Sequence, residues 1–204
     1  MDIKDLTKIA AAGKLDRREF MRRAAALGIA APFATSLLTQ SVQAATPKKG
    51  GKFRQGFAFG STTDSLDPGT SENGFTQNLL YTYANYLTEV SNEGQLIPEL
   101  AESYEANANA SIWTFKLRKG VEFHNGKTLT ADDVIGSINF HRGESSKSAA
   151  KGLLSAVESV TKKGKYEVEV KLSAGNADFP FLMSDYHIAI LPVVNGEMDW
   201  QSGI

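Results

Sequence analysis

The chain has 204 residues, with 22 basic and 23 acidic side chains, a formal net charge of −1 and no cysteine. The absence of cysteine excludes disulfides, thiolate metal sites, iron–sulfur clusters, a cysteine nucleophile and a lipid-modified cysteine. Residues 1–44 hold seven basic and four acidic side chains, which leaves 15 of the 22 basic and 19 of the 23 acidic ones in the remainder. This acidic remainder argues against a nucleic-acid partner, because phosphates bind basic surfaces.

The first 44 residues have the features of an export signal. The segment Asp16–Arg22 resembles a twin-arginine motif, and a mostly apolar run from Ala24 to Leu38 follows it. That run is shorter than the roughly 20 apolar residues of a membrane span. Small residues at Val42 and Ala44 predict cleavage after Ala44, export by the twin-arginine translocase and a soluble protein in the periplasm. The alternative is a basic amphipathic helix that lies on a membrane or contacts nucleic acid. The signal residues are Arg17, Arg18 and Phe20.

After a flexible leader, the pattern predicts a strand, a loop, a helix and a hairpin. Phe53 to Phe59 indicates a strand, and the segment from Gly60 to Pro68 contains several turn formers and predicts an irregular loop. Apolar residues at helical spacing predict a helix from Phe75 to Tyr86. The turn Asn92-Glu-Gly94 then predicts a hairpin between two short strands.

The segment from Trp113 to Val134 predicts a strand, two tight turns and the start of a helix. Its first part alternates apolar and polar residues, as expected of a strand with one buried face. Gly120 and Gly126 supply the turns. The apolar positions of the strand are Trp113, Phe115 and Leu117.

Thr130 and Asp133 have the spacing of a helix cap, and the neighbouring Asp132 suits the positive end of a helix dipole. Capping explains this carboxylate pair more simply than acid–base catalysis does. Further along, a second hairpin is predicted across residues 162–165, with alternation from Tyr166 to Leu172.

The last part of the chain predicts a short helix and a strand. Asp178 to Ser184 has the helical pattern, with Pro180 tolerated in the first turn. Ile188 to Pro192 has the pattern of a strand.

Four segments in this order carry a resemblance to one family. They resemble parts of the periplasmic dipeptide-, oligopeptide- and nickel-binding proteins that serve ABC importers, family 5 of the bacterial solute-binding proteins. At Tyr104 the family more usually has Trp, and the change keeps an aromatic surface. The four segments are residues 51–57, 64–68, 87–104 and 113–134.

The resemblance implies a mixed α/β fold of the type II periplasmic-binding-protein kind, with two lobes around a ligand cleft. Because members of the family are much longer, we expect an amino-terminal fragment in which Ile188, Ile190 and Leu191 stay partly exposed. The expected divisions are a signal peptide (1–44), a leader and first strand of lobe I (45–60), a family-specific subdomain (61–180) and a truncated return toward lobe I (181–204).

The resemblance also implies a function without catalysis. The expected protein is the solute-binding component of an ABC importer for di- or oligopeptides, with a permease and an ATPase as partners. A nickel chelate, an opine or an oligosaccharide as the solute stays open, and so does a secreted enzyme. The sequence offers no clustered catalytic set and no cofactor motif, so no catalytic residue and no cofactor are predicted.

The predicted ligand contacts lie in the loop after the first strand. In the family this loop lies at the edge of the cleft, where small polar side chains and main-chain groups contact the bound peptide. The alternative is a surface turn in which Asp64 and Ser65 bond their own backbone. The matching positions are Ser61, Thr62, Thr63 and Asp64, with Asn73 nearby.

The three histidines do not form a metal motif. His124, His141 and His187 lie 17 and 46 positions apart, unlike any compact zinc site. We therefore predict no metal site and expect turn or surface histidines.

Overall fold

The amino-terminal part of the chain is a small helical unit. A computed structural model describes residues 2–43 and 50–201, and its contacts separate into two compact units that divide between Gln55 and Gly56. The first unit contains α1 (Ile3–Ala11), α2 (Arg17–Ala26) and α3 (Ala31–Gln43). Its buried core is formed by Leu6, Ala10, Phe20, Ala24 and Ala34.

The segment that resembles a twin-arginine motif lies at the start of α2. Asp16 caps this helix, since its carboxylate accepts a hydrogen bond from the Glu19 N–H at 2.8 Å. The apolar run after the motif is shared between α2 and α3, which residues 27–30 separate. Within residues 2–43 and 50–201, no helix has the length and apolar character needed to cross a bilayer. The predicted cleavage residue Ala44 lies outside the described residues.

The strand predicted from Phe53 to Phe59 is not formed. Among the described residues this segment has no ladder partner, and its residues 53–57 have no regular structure. The prediction was wrong because alternation alone does not make a strand; a neighbour must share its main-chain hydrogen bonds. Phe57 contacts Phe75 edge to face, with ring centroids 6.0 Å apart.

The next predicted helix and hairpin are both present. The helix α4 (Gly74–Tyr83) ends before the predicted Tyr86, because Ala84 adopts an extended conformation with φ −116° and ψ 160°. The antiparallel strands β1 (Thr88–Val90) and β2 (Leu96–Pro98) then form the hairpin around residues 92–94.

A four-stranded antiparallel sheet forms the centre of the second unit. Its strands are β3 (Ala101–Ala106), β4 (Ile112–Leu117), β5 (Val157–Gly164) and β6 (Glu167–Leu172), in the order β3-β4-β6-β5. The predicted strand around Trp113 is therefore a central strand. The second predicted hairpin is the pair β5–β6, in which Lys162 lies opposite Val168.

One face of the sheet is buried, as the alternation predicts. In β4 the residues Trp113, Phe115 and Leu117 are at most 8% exposed. The other face carries charges that pair across strands, such as Lys116 with Glu105 at 3.7 Å. The helix α5 (Ala131–Phe140) packs against the buried face, and its Val134 and Ile138 belong to the same core as the strands.

The chain after the sheet contains a short helix and a small hairpin. The predicted helix is α6 (Phe179–Leu182), with Pro180 in its first turn. The strands β7 (Val193–Val194) and β8 (Glu197–Met198) follow. Two one-turn 3-10 helices, Pro68–Thr70 and Ala149–Gly152, lie in the connecting segments.

The segment from Ile188 to Pro192 differs from the prediction in two ways. It forms a single bridge, between Ile190 and Asn85, rather than a strand. Its apolar side chains are buried rather than exposed, with Ile188 at 0%, Ile190 at 2% and Leu191 at 3% exposure. The expectation of exposure was wrong because Ile188 and Ile190 belong to the sheet's core, whereas Leu191 packs in a second cluster with Leu80 of α4.

Candidate functional site

The predicted contact loop leads directly into α4, and Asn73 joins the two. The Asn73 side-chain oxygen accepts hydrogen bonds from the N–H groups of Phe75 and Thr76, both at 3.0 Å. These are unpaired donors at the start of a helix, so Asn73 acts as an N-cap. The cap holds the end of the loop in one orientation.

Asp64 connects the loop to this cap. Its Oδ2 accepts from the Ser61 N–H at 2.7 Å, and its Oδ1 accepts from the Asn73 Nδ2 at 2.6 Å. The hydroxyls of Ser61 and Thr63 lie 2.9 Å apart and share a hydrogen bond. Thr62 is exposed beside them. Four of the five predicted residues thus belong to one hydrogen-bonded network, although Asn73 is nine positions from Asp64.

This network also has the features of the alternative interpretation. Asp64 bonds the backbone of its own loop, and the Ser65 hydroxyl accepts from the Asp67 N–H at 3.2 Å. A surface turn would show the same bonds. Ser61 and Thr63 are nevertheless exposed residues. The assignment of these residues to ligand binding therefore stays a prediction.

A cavity of about 290 Å³ lies next to the loop, between the Pro68–Thr70 turn and the segment 145–148. The Thr70 hydroxyl connects the two regions, since it lies 3.1 Å from the Ser65 hydroxyl. Gly69 allows a close approach, because a β-carbon there would lie 3.2 Å from the Ser148 β-carbon. Residues 145–148 were not identified from the sequence as a wall of this cavity. The only feature of the sequence that marks them is the polar run Ser-Ser-Lys-Ser.

A larger cavity of about 800 Å³ lies between α5 and the β7–β8 hairpin. Three charged side chains line it, those of Asp132, Arg142 and Glu197, and the first two have partners in the protein. Asp132 pairs with Lys162 at 2.7 Å, and the Arg142 guanidinium donates to the carbonyl oxygen of Glu158 at 3.0 Å. The side chains of Asp132 and Arg142 are thus engaged within the protein.

Two of the three histidines are buried, so the expectation of turn or surface positions was wrong for them. His124 is exposed, and its Nε2 lies 2.9 Å from the Tyr83 carbonyl oxygen. His141 is fully buried and His187 is 6% exposed. The rings are buried because α5 and the segment after α6 both pack into the interior, which spacing along the chain does not reveal.

Each buried ring is fixed through its Nδ1 atom. The Nδ1 of His141 lies 2.7 Å from the Ser148 hydroxyl, and the Nδ1 of His187 lies 2.8 Å from a carboxylate oxygen of Asp185. Both Nε2 atoms are buried without a hydrogen-bond partner among the described residues. Burial, with a smaller effect of His187, lowers the pKa of His141 to about 4. His141 is therefore neutral at pH 7.

The carboxylate pair at the start of α5 is structural, as capping predicts. The Asp133 carboxylate is fully buried and accepts from the Thr130 N–H at 2.9 Å and the Val193 N–H at 2.8 Å. It also pairs with the ammonium of Lys127. No group of three or more potential metal-ligating side chains occurs within residues 2–43 and 50–201.

Solved structures define the class of the fold. The binding protein AgaA of A. tumefaciens R10, in complex with agropinic acid, is 26% identical with a TM-score of 0.60, over 63% of this chain and 26% of that one. The oligopeptide-binding protein AppA of Bacillus subtilis, in complex with a nonapeptide, is 29% identical with a TM-score of 0.53, over 62% of this chain and 25% of that one. The chain thus has the mixed α/β fold of type II periplasmic binding proteins.

Sequence comparison gives the family. Residues 95–203, more than half of the chain, match the middle region of the bacterial extracellular solute-binding proteins, family 5. The chain belongs to this family. The protein YhjP of Bacillus subtilis strain 168 is 34% identical over 140 residues, which are 66% of this chain and 23% of YhjP. The chain therefore spans about a quarter of the length of these relatives. The two solved neighbours named above are binding proteins rather than enzymes.

Proposed function

We propose that this chain is the amino-terminal part of the solute-binding component of an ABC importer, and that its solute is a di- or oligopeptide. Membership of family 5 is the observation that carries this proposal. The solved neighbours contain a nonapeptide in one case and agropinic acid in the other, so the shared fold accommodates different solutes. The permease and ATPase of the importer are the proposed partners.

The charge of the predicted contact loop favours a peptide over an opine. Residues 60–73 contain three acidic side chains and no basic one. An acid such as agropinic acid carries a carboxylate, which an acidic loop repels. A peptide carries its carboxylate at one end only, and that end would lie away from the loop. A peptide main chain offers neutral amides, which the exposed hydroxyls of Ser61 and Thr63 satisfy by hydrogen bonding. We therefore place a peptide main chain against this loop.

Calorimetry tests the choice of solute. The sample for this experiment is the longest protein product of the reading frame. It is titrated with di- to pentapeptides and, separately, with agropinic acid. Heat of binding from peptides alone supports the proposal. Binding of agropinic acid without peptide binding would contradict it.

The same titration tests whether these residues hold a complete site. Binding proteins surround 70–90% of a small ligand's surface, and this chain is a quarter of its relatives' length. We therefore expect the 204-residue chain alone to bind peptides far more weakly than the longer product. Micromolar binding by the 204-residue monomer would show that the binding site is complete within these residues.

The hydrogen bond between Asp64 and Asn73 offers a test of the loop. Asn73→Asp keeps an oxygen for the helix cap but places two carboxylates together, so it should release the loop and weaken peptide binding. Adding Asp64→Asn to the Asn73→Asp variant restores one donor and one acceptor between the two positions. The double variant should therefore recover most of the affinity for peptides. Thr82→Ala, an exposed change on α4, is the control. Unchanged affinity in Asn73→Asp would argue against a role for this loop.

We also propose export through the twin-arginine route, followed by cleavage after Ala44. The support is the motif with Arg17, Arg18 and Phe20. Replacing both arginines with lysine keeps the charge but removes the guanidinium pair, so unprocessed precursor should accumulate in the cytoplasm. Normal processing of the double-lysine variant through the general secretory route would contradict this proposal.

A further inference from the structure

A separate cavity of about 350 Å³ lies between α4, the β1–β2 hairpin and Ser184. Two aromatic rings form part of its wall. The rings of Tyr81 and Tyr86 are tilted by 52° with centroids 5.2 Å apart. Tyr81 is 55% exposed, whereas Tyr86 is 3% exposed. Glu89, Glu99 and Ser184 also line the cavity.

The two tyrosines are held firmly in place. The Tyr81 hydroxyl donates to the Ser184 carbonyl oxygen at 3.3 Å, and the Tyr86 hydroxyl donates to the Tyr186 carbonyl oxygen at 3.2 Å. Because both hydroxyls bond the segment after α6, the rings are fixed at their polar ends. What the rings offer to a ligand in the cavity is therefore aromatic surface rather than a free hydroxyl.

Negative charge surrounds these rings. Glu99 is half-buried; burial raises the pKa of its carboxyl, hydrogen bonds from Asn85 and the Tyr86 N–H lower it, and the nearby charge of Glu89 raises it further. Burial also raises the pKa of the Tyr81 hydroxyl, and the charge of Asp185 adds to this effect. Three carboxylates thus act on one small region.

Basic side chains do not neutralise the two carboxylates that line the cavity. Within residues 2–43 and 50–201, neither Glu89 nor Glu99 forms an ion pair. The basic side chain of Arg118 bonds the main-chain carbonyl of Glu99 instead, through its Nε. The Glu99 carboxylate accepts from the Tyr86 N–H at 2.9 Å, which orients it without cancelling its charge.

We propose that this cavity binds the guanidinium or ammonium group of a small organic cation, held against the aromatic surface of Tyr81 by Glu89 and Glu99. Cations bind the faces of aromatic rings, and the attraction increases where carboxylates lie nearby and water is partly excluded. A volume of about 350 Å³ lies at the small end of ligand cavities. Two carboxylates alone would make no site; the fixed rings and the concave shape of the cavity supply the rest.

Nuclear magnetic resonance of the full chain tests this inference with a matched pair of probes. Butylguanidinium is a cation, and butylurea has nearly the same shape without the charge. We expect butylguanidinium to shift the amide signals of Tyr81, Glu89 and Glu99 saturably, with an affinity at least fivefold higher than that of butylurea. Raising the salt concentration should weaken the binding.

Variants separate the cavity from general surface charge. Glu89→Gln and Tyr81→Leu should each reduce the affinity for butylguanidinium at least threefold, whereas Tyr81→Phe should retain it because the ring remains. Glu105→Gln, an exposed change on β3, is the control and should have no effect. Equal affinity for the two probes, or signal shifts confined to other parts of the chain, would overturn the proposal. Glu89 is exposed, so its variant keeps the fold and the test stays decisive.

Discussion

Lowering the pH should reduce the free energy of unfolding of the second unit, because His141 is buried there as a neutral ring. This ring is fully buried and neutral, and burial holds its pKa at about 4 in the folded protein, against 6.5 for an ordinary histidine. Between these two values the unfolded chain binds a proton that the folded protein does not. The contribution of neutral His141 to the free energy of unfolding is therefore fully present above pH 6.5, and it is lost as the pH drops toward 4.

The size of the effect follows from the gap between the two pKa values. Each pH unit between them changes the free energy of unfolding by about 1.4 kcal/mol, so the full loss amounts to roughly 3 kcal/mol. The value of about 4 already includes the opposing effect of the nearby Asp185, whose negative charge favours protonated His141. A loss of this size is a large share of the 5–15 kcal/mol typical of a domain.

Urea denaturation at several pH values between 7.5 and 4.5, followed by tryptophan fluorescence, measures the loss. His141→Asn removes the titrating ring but keeps an amide near the position of Nδ1, so it should flatten the pH dependence even if it lowers stability overall. His124→Asn, at an exposed histidine, should leave the wild-type slope unchanged. The reasoning would be refuted if wild type and His141→Asn lost stability in parallel between pH 6.5 and 4.5.

Two further predictions concern packing. Trp113→Ala should lower the free energy of unfolding by roughly 3–5 kcal/mol in chemical denaturation, because a large buried side chain is removed. Thr114→Ala, on the opposite face of the strand, should lower it by less than about 1 kcal/mol. Equal losses in the two variants would mean that the faces of the strand are assigned wrongly. Gly136→Ala should cost about 1–3 kcal/mol, because its new β-carbon would lie 2.3 Å from a methyl of Val193. Adding Val193→Ala should recover much of that loss, and Gly152→Ala, which meets no atom within 4 Å, should be nearly neutral. Failure of the recovery would show that the clash is not the cause.

Patterns that act over a few residues predicted the fold well. The alternation in β4 gave the buried face correctly, because a strand turns successive side chains to opposite sides. Thr130 and Asp133 marked the start of α5 because a cap acts within one helical turn. The same local rules gave the two hairpins and the short helix with Pro180.

Features that depend on distant parts of the chain were not predictable in this way. The segment 53–59 has a strand-like pattern, but its pattern says nothing about whether a partner lies beside it. His141 and His187 are far apart in sequence, and only the packing of α5 against the segment after α6 buries both rings. In the candidate loop, Ser61, Asp64 and Asn73 were named from resemblance, whereas the hydrogen bond that connects the last two required coordinates.

Within residues 2–43 and 50–201, the central sheet ends in two strands that lack a ladder partner on one side, β3 and β5. Both strands are irregular in their pairing with the neighbouring strand. The register shifts between Ala101 and Ser103 in β3, and it shifts twice in β5, the second time between Lys162 and Gly164. Such bulges, together with charged side chains, prevent a second sheet from adding to an open edge. The two edge strands therefore carry features with which proteins discourage edge-to-edge aggregation.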